Sequence, residues 1–132
     1  MKEEIKTLIL YRLERAKESI DEALILLEKG YTNTTVNRLY YACFYAVSAL
    51  LFTKGISSSK HSGVRGFFHQ YFVKPGTIDV KSGHLYDRLF DTRQKGDYAD
   101  LIRFDIAEVQ PWVDEVQKFV IKIEELIKKE DF

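Results

Sequence analysis

The strongest constraint on the fold is the spacing of apolar side chains in the first 28 residues. These side chains recur every three or four residues, the repeat that places them on one face of an α-helix. They are Ile5, Leu8, Ile9, Leu13, Ala16, Ile20, Ala23, Leu24 and Leu27. The pattern predicts a first helix over residues 3–28. Gly30 is the expected stop, and Thr32 or Asn33 is expected to cap the next helix.

The second helix is predicted to be the central one, because apolar and aromatic side chains cover both of its faces. One face carries Val36, Leu39, Tyr40, Cys43, Phe44, Val47, Leu50 and Leu51. In place of charges, the opposite face carries Asn37, Tyr41, Tyr45 and Ser48. A helix without a charged face is usually enclosed by other elements. Gly55 and the serines at 57–59 are expected to end it.

The third and fourth helices are predicted on either side of the proline- and glycine-containing turn at residues 74–76. The third helix covers residues 60–72, where apolar side chains again follow the helical repeat. The fourth helix begins at Asp79 or Ser82 and breaks near Gly96.

The last helix is predicted from Asp105 onward, because Asp105 and Glu108 have the spacing of an N-terminal capping box. Pro111 lies inside the apolar pattern of this helix, so a kink or a restart is expected there. No stretch alternates apolar and polar residues for long enough to form a strand. The sequence therefore predicts an all-α fold, an up-and-down bundle of four long helices plus one short helix, in a single domain over residues 1–132.

The charges of the chain balance overall but not locally. Twenty Lys and Arg residues oppose twenty Asp and Glu residues, which excludes a polycation that grips nucleic acid through overall charge alone. Residues 54–103 hold nine basic and five acidic side chains, a net charge of +4, whereas residues 104–132 have a net charge of −4. Either the middle third carries an anion-binding surface, or these charges only decorate solvated faces.

The cysteine and apolar content favour a cytoplasmic protein with no membrane segment. Cys43 is the only cysteine, so no disulfide can form within the chain. Neither a signal-peptide pattern nor an apolar run of 18 residues occurs.

Several catalytic motifs are absent from the sequence. There is no GxxxxGK[ST], GxGxxG, HExxH or CxxC, which removes the main support for P-loop hydrolysis, dinucleotide redox chemistry, zinc proteolysis and cysteine zinc sites. None of the three histidines has a glutamate three residues before it, so the ExxH pairs of di-iron bundles are missing too. We expect neither a metal nor a cofactor.

The first candidate site lies on the second helix, in the stretch from Asn37 to Ala46. It is dense in tyrosine and contains the polar pair Asn37 and Arg38 within an otherwise buried pattern. In one interpretation these polar groups only fix the packing, since buried Tyr and Asn need hydrogen-bond partners. In the other, Asn37 and Arg38 reach a cleft between helices and bind a ligand. Both interpretations predict that Asn37 is buried or half-buried and hydrogen-bonded.

The second candidate site is the segment from Arg93 to Tyr98 at the end of the fourth helix. If Gly96 adopts the left-handed conformation that ends a helix, Tyr98 can fold back toward Arg93. A guanidinium with a nearby hydroxyl suits a phosphate group, because the planar fork pairs with two phosphate oxygens. Alternatively, this segment is a helix end whose cations only complement the helix dipole. The further candidate ligands for an anion here are Lys95, His61 and His84.

In these segments the chain resembles the HEPN family, and in particular its small stand-alone members from bacteria and archaea. The resemblance spans most of the chain and rests on the long first helix and on the segments Asn37–Ala46, Lys60–Val64, Phe72–Gly76 and Arg93–Tyr98. It implies a helical bundle that forms homodimers. It also implies a partner, because many members are encoded beside a minimal nucleotidyltransferase as a toxin and antitoxin pair.

The resemblance further implies a candidate nuclease site. Nuclease-active members carry an Arg-x4-6-His motif, whose residues from both protomers line a cleft that cuts RNA without metal. Arg93 matches the arginine, whereas Tyr98 stands at the histidine position. A phenol with a pKa of about 10 is a poor general base at pH 7. Some toxin-type members use a tyrosine in this motif, and the partner can inactivate such toxins by attaching nucleotides to a nearby tyrosine, which makes Tyr98 a candidate acceptor.

Three functions therefore stay open. The first is a nucleotide- or RNA-phosphate-binding or docking module that partners a nucleotidyltransferase. The second is a metal-independent ribonuclease toxin with Arg93 and Tyr98 as catalytic residues at a dimer cleft. The third is a structural helical dimer without a ligand.

We predict a homodimer whose interface includes the fourth helix and residues 93–98. A bundle of 132 residues with 14% aromatic residues is expected to leave apolar surface for a second copy. Sedimentation at micromolar concentration should therefore give twice the chain mass of 15.5 kDa. A monomer at that concentration would exclude any mechanism that needs a cleft shared between protomers.

Overall fold

The computed structural model describes residues 2–94 and 103–130, and they form five α-helices. Within these residues there is no strand, so the prediction of an all-α bundle with four long helices and one short one is confirmed. No helix in the described ranges is long and apolar enough to cross a membrane. The helices are α1 (Glu3–Glu28), α2 (Thr32–Phe52), α3 (His61–Phe68), α4 (Val80–Gln94) and α5 (Ile106–Lys128).

A tight turn at Gly30 joins α1 to α2. Gly30 has a φ of 81°, and its amide and that of Tyr31 donate to the carbonyls of Leu27 and Leu26, both at 2.9 Å. This left-handed glycine ends α1, as the sequence predicts. The predicted cap of α2 at Thr32 or Asn33 is wrong. Tyr31 holds the cap position without a side-chain bond, because Thr32 already belongs to the helix.

The central helix of the bundle is α2, as its lack of a charged face predicts. It packs against α1, α3, α4 and α5. Its side chains at Leu39, Tyr40, Cys43 and Val47 have no exposed surface. Burial raises the pKa of the Cys43 thiol well above its usual range, so this cysteine is a small apolar core residue.

The chain between α2 and α4 departs from the predicted single helix over residues 60–72. After α3 ends at Phe68, residues 69–73 form one π-helical turn, closed by a bond of 2.8 Å from the Lys74 amide to the His69 carbonyl. The helix α4 approaches this wide turn closely, since a Cβ atom on Gly83 would lie 3.1 Å from His69 and 3.2 Å from Val73. The turn at residues 74–76 follows, with Gly76 at a φ of 88°.

The N-termini of α4 and α5 differ in how they are capped. Asp79 caps α4, as predicted, by accepting the Ser82 amide at 3.1 Å, and its carboxylate also contacts Lys122 of α5 at 2.6 Å. The predicted capping box at Asp105 and Glu108 is wrong, because the Asp105 side chain makes no cap bond.

The helix α5 does not restart at Pro111, which is its sixth residue. A proline removes the amide that would bind the carbonyl four residues earlier, here that of Ala107. Ala107 is exposed, so water can satisfy its carbonyl. The helix therefore continues through the proline to Lys128.

Two isoleucines in α5, two residues apart and on opposite faces of the helix, test how the core stabilises the bundle. Ile123 has no exposed surface, whereas 55% of Ile121 is exposed. Ile123→Ala should lower the free energy of unfolding by about 2 to 5 kcal/mol, because it leaves a cavity. Ile121→Ala should change it by less than about 0.5 kcal/mol. Urea unfolding at one fixed protein concentration measures both, and equal effects would contradict this packing.

Candidate functional site

The last turn of α4 places Arg93 against the aromatic side chains of α2. Its Nη2 atom donates a hydrogen bond to the Tyr41 hydroxyl at 3.1 Å. The guanidinium carbon lies 5.1 Å from the centre of the Tyr40 ring and 5.4 Å from that of Tyr41, within the range of cation–π attraction. Arg93 is half-buried. The tyrosines of the central helix therefore hold the arginine that the sequence singles out.

A second guanidinium lies over the same Tyr41 ring. The guanidinium carbon of Arg38 is 4.9 Å from the ring centre. Asn37 Oδ1 accepts bonds from Arg38 Nε at 3.2 Å and Nη2 at 2.9 Å, and Glu22 lies 3.5 Å from Nη1. Asn37 is half-buried and hydrogen-bonded, as predicted. The pair Asn37 and Arg38 thus reaches the Arg93 end of α4, through Tyr41.

His61, the first residue of α3, reaches the same two tyrosines from a third element. Its Nδ1 atom lies 2.7 Å from the Tyr40 hydroxyl oxygen. The imidazole stacks on Phe44 with 4.2 Å between ring centres and 8° between planes, and it meets Tyr41 edge-on at 6.0 Å. His61 and Arg93 therefore share Tyr40 and Tyr41. We call the group Arg38, Tyr40, Tyr41, His61 and Arg93 the tyrosine cluster.

Electrostatics keep His61 neutral near pH 7. Burial lowers its pKa below the ordinary value of 6.5, and the charge of Arg93 lowers it further. Burial raises the pKa of Tyr40 to about 12, although Arg93 acts in the opposite direction. At pH 7 both side chains are therefore uncharged hydrogen-bonding groups. The formal charges of the tyrosine cluster are those of its two arginines.

The two arginines differ in whether a carboxylate neutralises them. Glu22 lies beside Arg38, but in the parts of the chain that the structure describes no carboxylate lies within 4.0 Å of the Arg93 guanidinium. Guanidinium groups pair with the oxygens of phosphates and carboxylates in two-pronged geometry. The cluster therefore offers an arginine with spare donors, a second arginine and a neutral imidazole, a set suited to an oxyanion.

Of the remaining predicted ligands, His84 does not join this cluster, and the others lie outside the described residues. His84 is exposed and precedes Arg93 by nine residues on α4, about 13 Å along the helix axis. Lys95, Gly96 and Tyr98 lie outside the described residues, so their predicted roles stay predictions. No group of three or more His, Cys, Asp or Glu residues within residues 2–94 and 103–130 is placed to hold a metal ion.

Two features near the cluster are not apparent from the sequence. One is the pairing of Arg93 with Tyr41, which are 52 residues apart. The other is a cavity of about 290 Å³ that borders His61 and Phe44 and is also lined by Arg12, Ser48 and Phe52. In the sequence, the pairing of Arg93 with Tyr41 is indicated only by the four-residue step from Asn37 to Tyr41, which marks a polar stripe on an otherwise apolar helix.

Comparisons with known proteins agree with the resemblance. A family model for the HEPN domain matches residues 9–127. A UPF0332 protein of Thermotoga maritima is 43% identical over 95% of each chain. A protein of Methanocaldococcus jannaschii named "Putative toxin MJ0605" is 34% identical over 98% of this chain and 92% of its own length. A second protein of that organism with the same kind of name, MJ0142, is 34% identical over 74% of this chain and 67% of its own.

Replacing Asn37 tests how firmly it holds Arg38. Asn37→Leu should lower the free energy of unfolding by about 1 kcal/mol. The effect is small for a bond to a charged group, because Arg38 is partly solvated and keeps its ion pair with Glu22. Asn37→Asp is the matched control, since it keeps the acceptor, and it should stay close to the parent. Urea unfolding measures both. Equal losses in the two variants would show that the Oδ1 acceptor is not what Asn37 contributes to stability.

Proposed function

The chain belongs to the HEPN domain family, and on that premise we propose that it is a toxin-type member that binds the phosphate of RNA or a nucleotide at the tyrosine cluster. The observation that carries the proposal is the Arg93 guanidinium, which two tyrosine rings hold and which no carboxylate of the described residues neutralises. A phosphate between Arg93 and Arg38 would supply the missing negative charge.

The neutral balance of the chain limits how such binding works. With no overall positive charge, binding depends on a few local contacts. Each phosphate contact to single-stranded nucleic acid contributes about −0.7 to the slope of log K against log salt. Two arginines therefore give a slope near −1.4, shallow beside that of a highly basic protein. Tyr40 has no exposed surface, so of the two rings beside Arg93 the half-buried Tyr41 is the one that an unpaired base can contact.

The proposal extends to the partners of the chain. We place it in the cytoplasm as a homodimer that pairs with a nucleotidyltransferase-type antitoxin. Support for this comes from the family and from the two relatives that are named as toxins. Tyr98, five residues after Arg93, is the proposed acceptor for a nucleotide that the antitoxin attaches.

A second candidate function is metal-independent ribonuclease activity, and one specific observation favours it. The chain lacks the motif histidine after Arg93, but the structure brings His61 onto the same two tyrosines as Arg93. A neutral imidazole can move the proton of a ribose 2′-hydroxyl, while a guanidinium stabilises charge on the phosphorus oxygens. In this candidate His61 works beside Arg93 and Tyr98.

Substitutions of Arg93 test phosphate binding directly. Arg93→Ala should weaken binding of a labelled single-stranded RNA about 10- to 100-fold, the effect of losing a charge-assisted hydrogen bond, and should lower the salt slope by about 0.7. Arg93→Lys should keep the slope but lose affinity, since it keeps the charge without the fork. Fluorescence anisotropy over a salt series measures both quantities.

Arg88→Ala is the matched control for this experiment. It removes one positive charge from the same helix, but Arg88 contacts Glu115 and Trp112 and not the cluster. It should leave RNA binding near the parent value. If both Arg93 variants also bind RNA and mononucleotides as the parent does, Arg93 is only a helix-end charge, and the structural dimer becomes the better hypothesis.

Cleavage of total and transfer RNA in EDTA tests the second candidate. Activity that disappears in both Arg93→Ala and His61→Gln, but persists in His69→Gln, would support it. His69 is a suitable control because it pairs with Asp87 at 2.8 Å and lies outside the cluster. RNA that stays intact with the parent protein, yet binds to it, would restrict the function to phosphate binding.

A further inference from the structure

The hydroxyl of Tyr40 is the most constrained polar group in the cluster. Tyr40 has no exposed surface, so its O–H cannot reach bulk water. Its oxygen lies 2.7 Å from His61 Nδ1. A buried hydroxyl that donates to no acceptor is strongly disfavoured. Which atom is the donor in this bond therefore depends on whether the Tyr40 hydrogen has another acceptor within reach.

Within the described residues, His61 Nδ1 is the acceptor that the Tyr40 hydrogen can reach. Two other tyrosines lie close to Tyr40: the ring centre of Tyr41 is 5.2 Å away, and that of Tyr86 is 6.2 Å away. The Tyr41 hydroxyl oxygen already accepts from Arg93. Beside the larger effect of burial, the hydrogen-bonding interaction between Tyr40 and Tyr86 lowers the pKa of Tyr40 and raises that of Tyr86, as expected when Tyr86 is the donor and the Tyr40 oxygen is the acceptor. If Nδ1 carried a proton, it would have to donate to the Tyr40 oxygen across the 2.7 Å contact. The hydrogen of the Tyr40 hydroxyl would then have no acceptor.

We infer that Tyr40 is a positioning residue that donates its hydroxyl hydrogen to His61 Nδ1 and so holds the neutral imidazole in the tautomer with its hydrogen on Nε2. This inference rests on the proposed function for its biological meaning. In that tautomer the Nε2 atom of His61 is a hydrogen-bond donor, which suits a phosphate oxygen. It is not a base that could take a proton from a ribose hydroxyl.

The packing around His61 prevents the ring from escaping this bond. Phe44 lies parallel to the imidazole at 4.2 Å, and the Tyr40 ring is inclined by only 14° to it. Tyr41 meets it at 88°, so rings cover more than one side. Rotating the imidazole would break the stack and leave the Tyr40 hydroxyl unpaired. The stack and the hydrogen bond therefore support the same orientation.

The cations near the imidazole come from three helices and from the residue before it. They are Arg93 from α4, Arg12 across the cavity, Arg65 one turn further along α3, and the neighbouring Lys60. Burial and Arg93 lower the pKa of His61, which agrees with a nitrogen that accepts a bond in the neutral state.

Nitrogen-15 NMR of the full chain labelled in histidine tests the inference without any ligand. The three histidine rings are assigned with a His61→Gln variant, which removes one set of signals. Above the pKa of His61, the parent protein should show an unprotonated Nδ1 and a protonated Nε2. A protonated Nδ1 in the neutral imidazole overturns the inference, and this measurement needs no variant of Tyr40 that must fold.

A pair of tyrosine variants separates the bond from general packing. Tyr40→Phe removes the donor and should raise the pKa of His61 by about half a unit to one unit, the shift expected for one lost hydrogen bond. Tyr86→Phe removes a neighbouring buried hydroxyl but keeps the Tyr40 donor, so it should move the pKa of His61 less and leave the tautomer unchanged. Equal shifts in the two variants would assign the effect to packing and overturn the role of Tyr40.

A single-stranded oligoribonucleotide added to the labelled protein distinguishes this inference from the proposed function. If RNA moves the His61 Nε2 signal while Nδ1 stays unprotonated, both stand. If RNA moves no His61 signal, phosphate binding at the cluster fails, while the tautomer seen in the free protein still stands. If RNA transfers the hydrogen to Nδ1, Tyr40 does not hold the tautomer, and the ribonuclease candidate gains the base that it needs.

Discussion

Four other helices contact α2, so every polar group on this helix needs a partner inside the bundle or at its edge. Tyr40 and Tyr41 meet that requirement with side chains from two distant segments, His61 at the start of α3 and Arg93 at the end of α4. The same bonds that satisfy the central helix therefore assemble an imidazole and a guanidinium at one place. Replacing both tyrosines with phenylalanine would preserve the apolar packing but remove the hydroxyl groups that bond to His61 and Arg93.

Charge pairing separates Arg93 from three other arginines near the cluster. Arg38 contacts Glu22, Arg65 contacts Asp87 and Asp91, and Arg88 contacts Glu115. Such exposed pairs add little to stability, but they neutralise the arginines they involve. Arg93 has aromatic rings and a phenol oxygen in place of a carboxylate within the described structure. Among the cations of residues 54–103, Arg93 is thus one whose charge remains available for a ligand in the described structure.

Local patterns in the sequence predict most of the fold, because helix periodicity and stop residues act over short distances. The bounds of α1, the left-handed Gly30 and the central position of α2 all follow from residues close in the chain. The caps at Thr32 and Asp105 fail because a capping residue is favoured but not required when other groups or water satisfy the first amides. The π-helical turn fails for another reason, since its position coincides with the close approach of α4 at Gly83, a tertiary contact.

The site is less predictable than the fold, because its contacts join residues 21 and 52 positions apart. Sequence spacing can mark Asn37, Arg38, His61 and Arg93 as candidates. Only the packed bundle shows that Arg38, His61 and Arg93 meet at the Tyr41 ring and that His61 and Arg93 also contact Tyr40. This arrangement also bears on how the site could work without a metal. A guanidinium already stacked on buried rings needs little further ordering when an anion arrives, so more of its interaction energy is available for binding. The tyrosines of the central helix therefore contribute to the binding chemistry proposed for the cluster as well as to its support.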